Sequence, residues 1–544
     1  MSRLRLFFPL SIVLLLLTAG WTPVVAQPPE PPVQTLYSDV TGPLSLQSTS
    51  ASCESLTTLD LPDTTIVTAT TVISGALLPG GSAAPFDVCQ VVGVVTPAIN
   101  FEVWMPVTGW NGKFNGVGNG GLAGFINYDT MATALARGYA TASTDTGHVG
   151  FLGDGSWALG RPDLLVDFGY RAIHEMTRVA KAIVEAYYGQ ASNYSYFTGC
   201  SGGGQQSLSE AQRYPADYNG IVAGAPANFP THMWPGELYP AWVAYTYGTQ
   251  ASLGGPPGPP VPTAKLLTLN AAAVAACDTL DGVADGIIGD PRNCNYDPQA
   301  LLCPVGTVAP TCLTQAEIDT VKKIYVGLQY PSTGQKFWPP FERGSESGWA
   351  GHINPFSIPP SYFKYMVFKD PAWDWHTFSF TDTHNFTATL DPAHYRLGPI
   401  LNATNSDLSA FKGLGGKLVM WHGWNDQNIA PRNSINYYNS VMDVMGSKAE
   451  TQNFLRLFMA PGMEHCQGGV GPNTFDSLTP LAQWVENGVA PAQIIASNSD
   501  RGITRPLCPY PQVAKYKGSG STNAASNFVC ANPVWVYLPL VMRP

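Results

Sequence analysis

The chain has 544 residues, 45% of them hydrophobic and 12% charged, a composition that excludes a disordered polyelectrolyte and exceeds what one small core can organise. A formal net charge of −10 without any basic cluster excludes nucleic acid as a natural partner. With 55 glycines and 47 prolines, the sequence predicts a loop-rich globular protein of the extracellular kind.

Residues 1–26 read as a secretory signal peptide. Arg3 and Arg5 supply the positive start, an apolar run follows from Leu6 to about Leu17, and small residues lead to a cleavage site after Val24-Val25-Ala26. The run is shorter than the roughly 20 residues a membrane span needs, and no later stretch is long and apolar enough to cross, so no membrane partner is expected. Removing the two arginines, with no acid lost, takes the net charge from −10 to −12. A secreted or periplasmic location follows. All ten cysteines lie beyond the cleavage site, and an even count there predicts five disulfides. Local pairs are available: Cys53 with Cys89, Cys277 with Cys294, Cys303 with Cys312, Cys508 with Cys530. Cys200 and Cys466 are left over, and spacing alone does not prove the pairing.

Strands are predicted at 101–107, 113–117 and 138–145, then an amphipathic helix over about 167–188. Met176, Val179, Ala180, Ile183, Val184 and Tyr187 fall on one stripe of it, and Gly189 stands at the C-terminal cap. A short buried strand at 194–198 (YSYFT) runs into Gly199-Cys200-Ser201-Gly202-Gly203-Gly204, with a helix opening near Gln205. Strands at 221–225, 418–421 and 454–459 continue the pattern. Strand, tight glycine turn and helix form the α/β-hydrolase unit. Between them, residues 227–410 break the rhythm with a proline run (GGPPGPPVP), aromatic residues and a helical piece near 315–325. The predicted architecture is an α/β-hydrolase fold with a large inserted lid domain: core at 27–226 and 411–544, lid at 227–410. The tail beyond Ser519 is polar, and its last residues, VWVYLPLVMRP, read as one final strand.

Gly199-x-Ser201-x-Gly203 fits the nucleophile elbow, where a serine on a strained turn needs neighbours with almost no side chain. The base and its orienting acid should follow in the order Ser, Asp, His. Of seven later histidines, only His422 and His465 follow predicted core strands. His465 lies in Ala-Pro-Gly-Met-Glu-His-Cys after one strand, and Asp426 in Trp-His-Gly-Trp-Asn-Asp after another, at strand carboxyl ends where such folds put their sites. The candidate triad is Ser201, Asp426 and His465. Should Cys200 and Cys466 be bonded, their Cα atoms would lie about 4.4–6.8 Å apart, and nucleophile and base would be neighbours.

With these residues the chain resembles the tannase and feruloyl esterase family. Further likeness lies in Trp110-Asn-Gly-Lys-Phe, Gly118-Asn-Gly-Gly121, Ser143-Thr-Asp-Thr-Gly-His148 and Ala223-Gly-Ala-Pro226, over roughly residues 50–535. The resemblance implies a Cys200–Cys466 disulfide, an oxyanion hole from the N–H groups of Gly202 and a glycine of Gly120-Gly121, with Gly121 preferred, and esters of aromatic acids as substrates. Hydrolases of terephthalate monoesters are similar in kind.

Asp278, Asp281 and Asp285 crowd three carboxylates into eight residues, which repel unless a cation offsets them. Calcium suits such oxygen ligands. Carbonyls of Val283 and Ile287 would complete the set, and the resemblance assigns calcium to the same positions. The many rings at 337–380 read mainly as lid core. The expected activity is a secreted serine carboxylic-ester hydrolase of feruloyl esterase or tannase type, working through an acyl-enzyme. The alternatives are a hydrolase of terephthalate-type or aliphatic esters and a catalytically dead, calcium-stabilised binding protein.

Overall fold

The computed structural model describes residues 51–247 and 261–533. The expected signal peptide, the expected strand at 534–544 and most of the proline run lie outside the described residues.

A nine-stranded sheet organises the chain. In sequence order its strands are β1 (Thr64–Val72), β2 (Val88–Val95), β3 (Ile99–Pro106), β4 (Lys113–Val117), β5 (Ala140–Thr144), β6 (Tyr194–Cys200), β7 (Gly220–Gly224), β8 (Lys417–Gly423) and β9 (Leu455–Ala460). Their spatial order is β1-β2-β3-β5-β4-β6-β7-β8-β9. The first three and β5 pair antiparallel, and from β5 to β9 every pairing is parallel. A parallel sheet must be covered on both faces, and the alternation within each strand shows that it is. On β6, Tyr196 packs with Val419, Leu481 and Trp484 on one face, while Phe197 packs with Met176, Ile183 and Leu208 on the other. Helices Ala172–Tyr188, Gly202–Arg213 and Arg432–Met445 cover the Phe197 face; Leu478–Asn487 covers the opposite one.

The predicted core strands are present with ends shifted by one or two residues. Helix Ala172–Tyr188 buries Met176, Val179, Ala180, Ile183 and Val184 and ends on Gly189 at φ +70°. The structure corrects one boundary. The helix after the elbow opens at Gly202 and not near Gln205, because Gly203 and Gly204 must lie against neighbouring backbone: an added Cβ on Gly203 would sit 2.8 Å from the Asn119 carbonyl oxygen. Close packing outweighs glycine's poor helix propensity here. Strands β1 and β2 and two C-terminal hairpins (Ile494–Asn498 with Ile503–Leu507, Val513–Tyr516 with Phe528–Ala531) were not expected from sequence.

No strand of the sheet comes from the described residues between Gly224 and Lys417, although β7 and β8 are direct neighbours there. That interval is helical. Helices Pro230–Tyr247, Thr263–Cys277, Gln315–Val326 and Asp391–Leu401 pack round a second hydrophobic cluster, built on Leu266, Ile318, Trp349, Phe363 and Phe386 and joined by Leu122, Phe168 and Ile429 from outside the interval. A capping box on Thr314 and Glu317 starts one of these helices, and Glu317 also accepts a buried ion pair from Lys265 at 2.7 Å. Among the described residues no helix is long and apolar enough to cross a membrane.

Candidate active site

Strand β6 delivers Cys200 to the sheet's carboxyl edge, and the chain then turns sharply through Ser201, at φ +63° and ψ −121°. A non-glycine residue in that region carries strain of about 1–3 kcal/mol. It is held by hydrogen bonds: Ser201 N–H donates to the Gly224 carbonyl at 3.0 Å, while the Ser201 carbonyl accepts from Gln205 N–H and Ala227 N–H, both at 3.0 Å. Gly202 begins the helix, so its N–H has no intrahelical acceptor. The loop after β4 lies beside it, with the Gly121 carbonyl oxygen 3.1 Å from where a Gly202 Cβ would stand. Gly121 has φ +54° and touches Leu152 so closely that a side chain would not fit. The N–H groups of Gly120 and Gly121 donate to nothing among the described residues. Their loop is stiff nonetheless. Asn119 Nδ2 donates to the carbonyls of Phe125 (2.6 Å) and Thr144 (2.8 Å), its backbone N–H donates to Gln206 Oε1 (2.9 Å), and His148 Nε2 meets the Leu122 carbonyl at 2.9 Å. Two free, preorganised N–H groups beside a serine can stabilise a developing oxyanion.

The loops after β8 and β9 are stitched to each other, Trp424 N–H donating to the Ala460 carbonyl (2.8 Å) and Asn425 N–H to that of Met463 (2.9 Å). This brings Asp426 against His465, whose Nδ1 lies 2.8 Å from Asp426 Oδ2. The acid is fully buried and the imidazole only 14% exposed. Asp426 Oδ1 accepts the backbone N–H groups of Asn428 and Ile429, both at 2.8 Å. Burial by itself would push this carboxyl up, but the charge of His465 and hydrogen bonds from His465 and His422 hold it well below the usual carboxylate range. With Nδ1 committed to the carboxylate, Nε2 is the nitrogen left to take a proton.

The sulfurs of Cys200 and Cys466 are bonded, with Cα atoms 6.0 Å apart. The bridge joins the residue before Ser201 to the residue after His465, and Cys466 itself has φ +61°. Ser201, Gly202, Gly121 and His465 all line one cavity of about 640 Å³. The remaining bonds are Cys53–Cys89, Cys277–Cys294, Cys303–Cys312 and Cys508–Cys530, which leaves no free cysteine.

The model of the family described as tannase and feruloyl esterase matches residues 85–531. The chain belongs to the tannase and feruloyl esterase family. It is 38% identical to an uncharacterized esterase of Xanthomonas campestris pv. campestris over 91% of this chain and 94% of that one. It is 33% identical to the mono(2-hydroxyethyl) terephthalate hydrolase of Piscinibacter sakaiensis, over 83% and 86%. The crystal structure of feruloyl esterase B from Aspergillus oryzae superposes with a TM-score of 0.79 at 30% identity, covering 88% of this chain and 99% of that one. As a member of this family the protein is a carboxylic ester hydrolase.

Three features of the family member's site escaped the sequence reading. His422, considered only as a rival base, is fully buried behind the acid: its Nε2 faces Asp426 Oδ2 and the Ile429 carbonyl, each at 3.0 Å, and its Nδ1 faces Ser434 Oγ at 2.7 Å. Two acceptors at Nε2 assign the hydrogen there, so Nδ1 accepts from the Ser434 hydroxyl. Of the rings at 337–380, Phe356 lines the cavity, whereas Phe337, Trp338, Phe341, Trp349, Tyr362, Phe363, Phe378 and Phe380 belong to the buried cluster of the helical interval. The cavity wall also includes Met233, Trp234 and Glu237 from helix Pro230–Tyr247. That helix is apolar nearly all round, and its embedded acid was the one signal available in the sequence.

Proposed function

We propose that this family member is an exported serine esterase that cleaves esters of aromatic, phenolic acids through an acyl-enzyme on Ser201. One observation carries the reading: the Cys200–Cys466 bridge puts Ser201 and His465 on one cavity, with Asp426 on the far nitrogen of the imidazole. Ser201 Oγ attacks the ester carbonyl as His465 Nε2 takes its proton. The new oxyanion faces the N–H groups of Gly202 and Gly121. Collapse returns the electron pair to the carbonyl carbon, and His465 gives its proton to the departing alkoxide, releasing the alcohol. Water, giving a proton to the same nitrogen, then attacks the acyl carbon; the bond to Ser201 Oγ breaks, His465 returns the proton to Oγ, and the acid is freed. Asp426 fixes the imidazole tautomer and stabilises its cationic form. Phe125, Phe168, Trp234, Phe356 and Trp421 along the cavity suit a planar ring, and the named substrates of two relatives are esters of aromatic acids. The helical interval at 227–410 acts as a lid, since residues from it and from the sheet edge share the cavity. Five disulfides suit an oxidising compartment outside the cytoplasm.

A structural calcium ion belongs to the proposal. Asp278 Oδ1 accepts backbone N–H groups from Asp285, Gly286 and Ile287, and Asp285 pairs with Arg505. Among the described residues no three His, Cys, Asp or Glu side chains form a ready-made cage. An ion would therefore draw on Asp281, whose Oδ1 accepts the Val283 N–H at 2.9 Å, and on the carbonyls of the buried Val283 and Ile287, which accept no hydrogen bond among the described residues. Desolvation, with the charges of Asp285 and Asp278 adding to it, pushes Asp281 up to about 6. A cation would relieve that crowding, but an ion could draw on all three expected carboxylates only if Asp278 and Asp285 gave up their present partners; the proposed ion is structural and remote from the chemistry.

The test is hydrolysis of methyl ferulate, gallate and p-nitrophenyl esters by the wild type and by Ser201→Ala. The wild type turns over the aromatic acid esters, and the variant, folded to the same thermal midpoint, does not. Undiminished turnover in Ser201→Ala would remove the assignment.

A further inference from the structure

The cavity that holds Ser201 and His465 is lined by backbone, small and apolar side chains, a few amides and hydroxyls, and one carboxyl, Glu237. No lysine or arginine lines it among the described residues. Glu237 is 3% exposed. Its Oε2 is buried with no hydrogen-bond partner among the described residues. Native chains leave few buried polar groups unmatched, and each one calls for a reason. Burial, reinforced by the charge of Asp426, pushes this carboxyl well above the usual carboxylate range, toward the protonated form that has one O–H to donate and oxygens to accept.

Glu237 sits between Gly236 and Leu238 on a helix whose other cavity-lining residues, Pro230, Met233 and Trp234, are apolar. An acid with an unmatched oxygen among aromatic rings, in a cavity with no lysine or arginine among the described residues, matches a ligand that is flat, uncharged and carries a hydroxyl.

We propose that Glu237 recognises the acyl group: its carboxyl hydrogen-bonds the phenolic hydroxyl of an aromatic ring held among Phe168, Met233, Trp234 and Phe356. The same pocket disfavours a ring that carries a free carboxylate, which would lose its hydration there with no lysine or arginine among the described residues to offset the cost. The inference rests on the Ser201 acyl-enzyme reading and adds which aromatic acids that site accepts.

The experiment compares kcat/KM for methyl ferulate with that for methyl 3,4-dimethoxycinnamate, which differs by methylation of the phenolic oxygen. It uses the wild type, Glu237→Gln and Glu237→Leu, with active sites counted by a p-nitrophenyl ester burst. The wild type prefers the free phenol. Glu237→Leu loses that preference by about tenfold, mainly through KM, whereas Glu237→Gln, which keeps a donor and an acceptor, stays within about threefold of the wild-type ratio. A merely structural acid would shift both substrates together. An unchanged ratio in Glu237→Leu overturns the assignment. Should that variant fail to fold, a second arm uses the wild type alone: methyl 4-hydroxybenzoate is cleaved at least about tenfold faster than monomethyl terephthalate at pH 7, and equal or reversed rates overturn the proposal. Wild-type cleavage of p-nitrophenyl butyrate without any of the aromatic acid esters would sink this inference together with the proposed substrate class. Cleavage of methyl ferulate with no role for Glu237 sinks the inference alone.

Discussion

Replacing both Cys200 and Cys466 by alanine removes the covalent link between the turns of Ser201 and His465, the proposed nucleophile and base, and its consequences separate into two parts. The bridge closes a separation of 266 residues, for which loop-closure entropy predicts a stabilisation of up to about 5.5 kcal/mol at 25 °C. The shorter bridges nested inside it, with separations of 17 and 9, change this little because the dependence on loop length is logarithmic. With an unfolding entropy near 2.1 cal/mol/K per residue, a chain of this length loses roughly 5 °C in its thermal midpoint. The catalytic loss is separate and larger. Ser201 and Cys466 both hold positive φ angles, 63° and 61°, in turns tied together only a few ångströms from the chemistry. Relaxation of either turn moves Oγ relative to Nε2, and displacement by about 1 Å costs on the order of 10²-fold. Methyl ferulate hydrolysis at 25 °C, where the variant is still folded by circular dichroism, should therefore fall by about 10²-fold in kcat/KM. A folded double variant with wild-type kcat/KM would refute the positioning role and leave the bridge a matter of stability.

Further outcomes follow from the same geometry. Asp426→Asn keeps the shape but loses the charge and favours the wrong imidazole tautomer, lowering kcat by about 10³–10⁴-fold, as steady-state kinetics on p-nitrophenyl butyrate will show. Because the folded pKa of Asp426 is depressed, its contribution to stability is present above the unfolded value near 3.9 and is lost as pH falls below it. The stability difference between wild type and Asp426→Asn in urea unfolding should accordingly shrink from pH 6 to pH 3. Dialysis against a calcium chelator should lower the thermal midpoint by several degrees, with calcium and not magnesium restoring it, and Asp281→Asn should abolish the response. No change on chelation would remove the ion from the account.

What the sequence disclosed and what it hid divide along physical lines. Local chemistry was legible: the glycines around Ser201 are needed because backbone from the loop after β4 and from β7 lies where a Cβ would be, and that demand is written in residue type. Buried parallel strands such as β7 and β8 announced themselves as short apolar runs. Strand β1, rich in threonine and half exposed, gave no such contrast. The elbow helix began earlier than propensity suggests, since tertiary packing there overrides the cost of glycine. The roles of His422 and Glu237 were invisible for a different reason. Each depends on what the fold places beside it, Asp426 and Ser434 for the histidine, a cavity without lysine or arginine among the described residues for the acid. No spacing rule along the chain encodes those neighbours.

The most direct measurement of the central claim is acid-quench mass spectrometry during turnover of methyl ferulate. The account predicts a feruloyl adduct on the peptide containing Ser201, recovered under non-reducing conditions linked through Cys200 to the peptide of Cys466, and accumulating when deacylation is slowed at low pH. An adduct on another residue, or steady turnover with Ser201 never acylated, would contradict it.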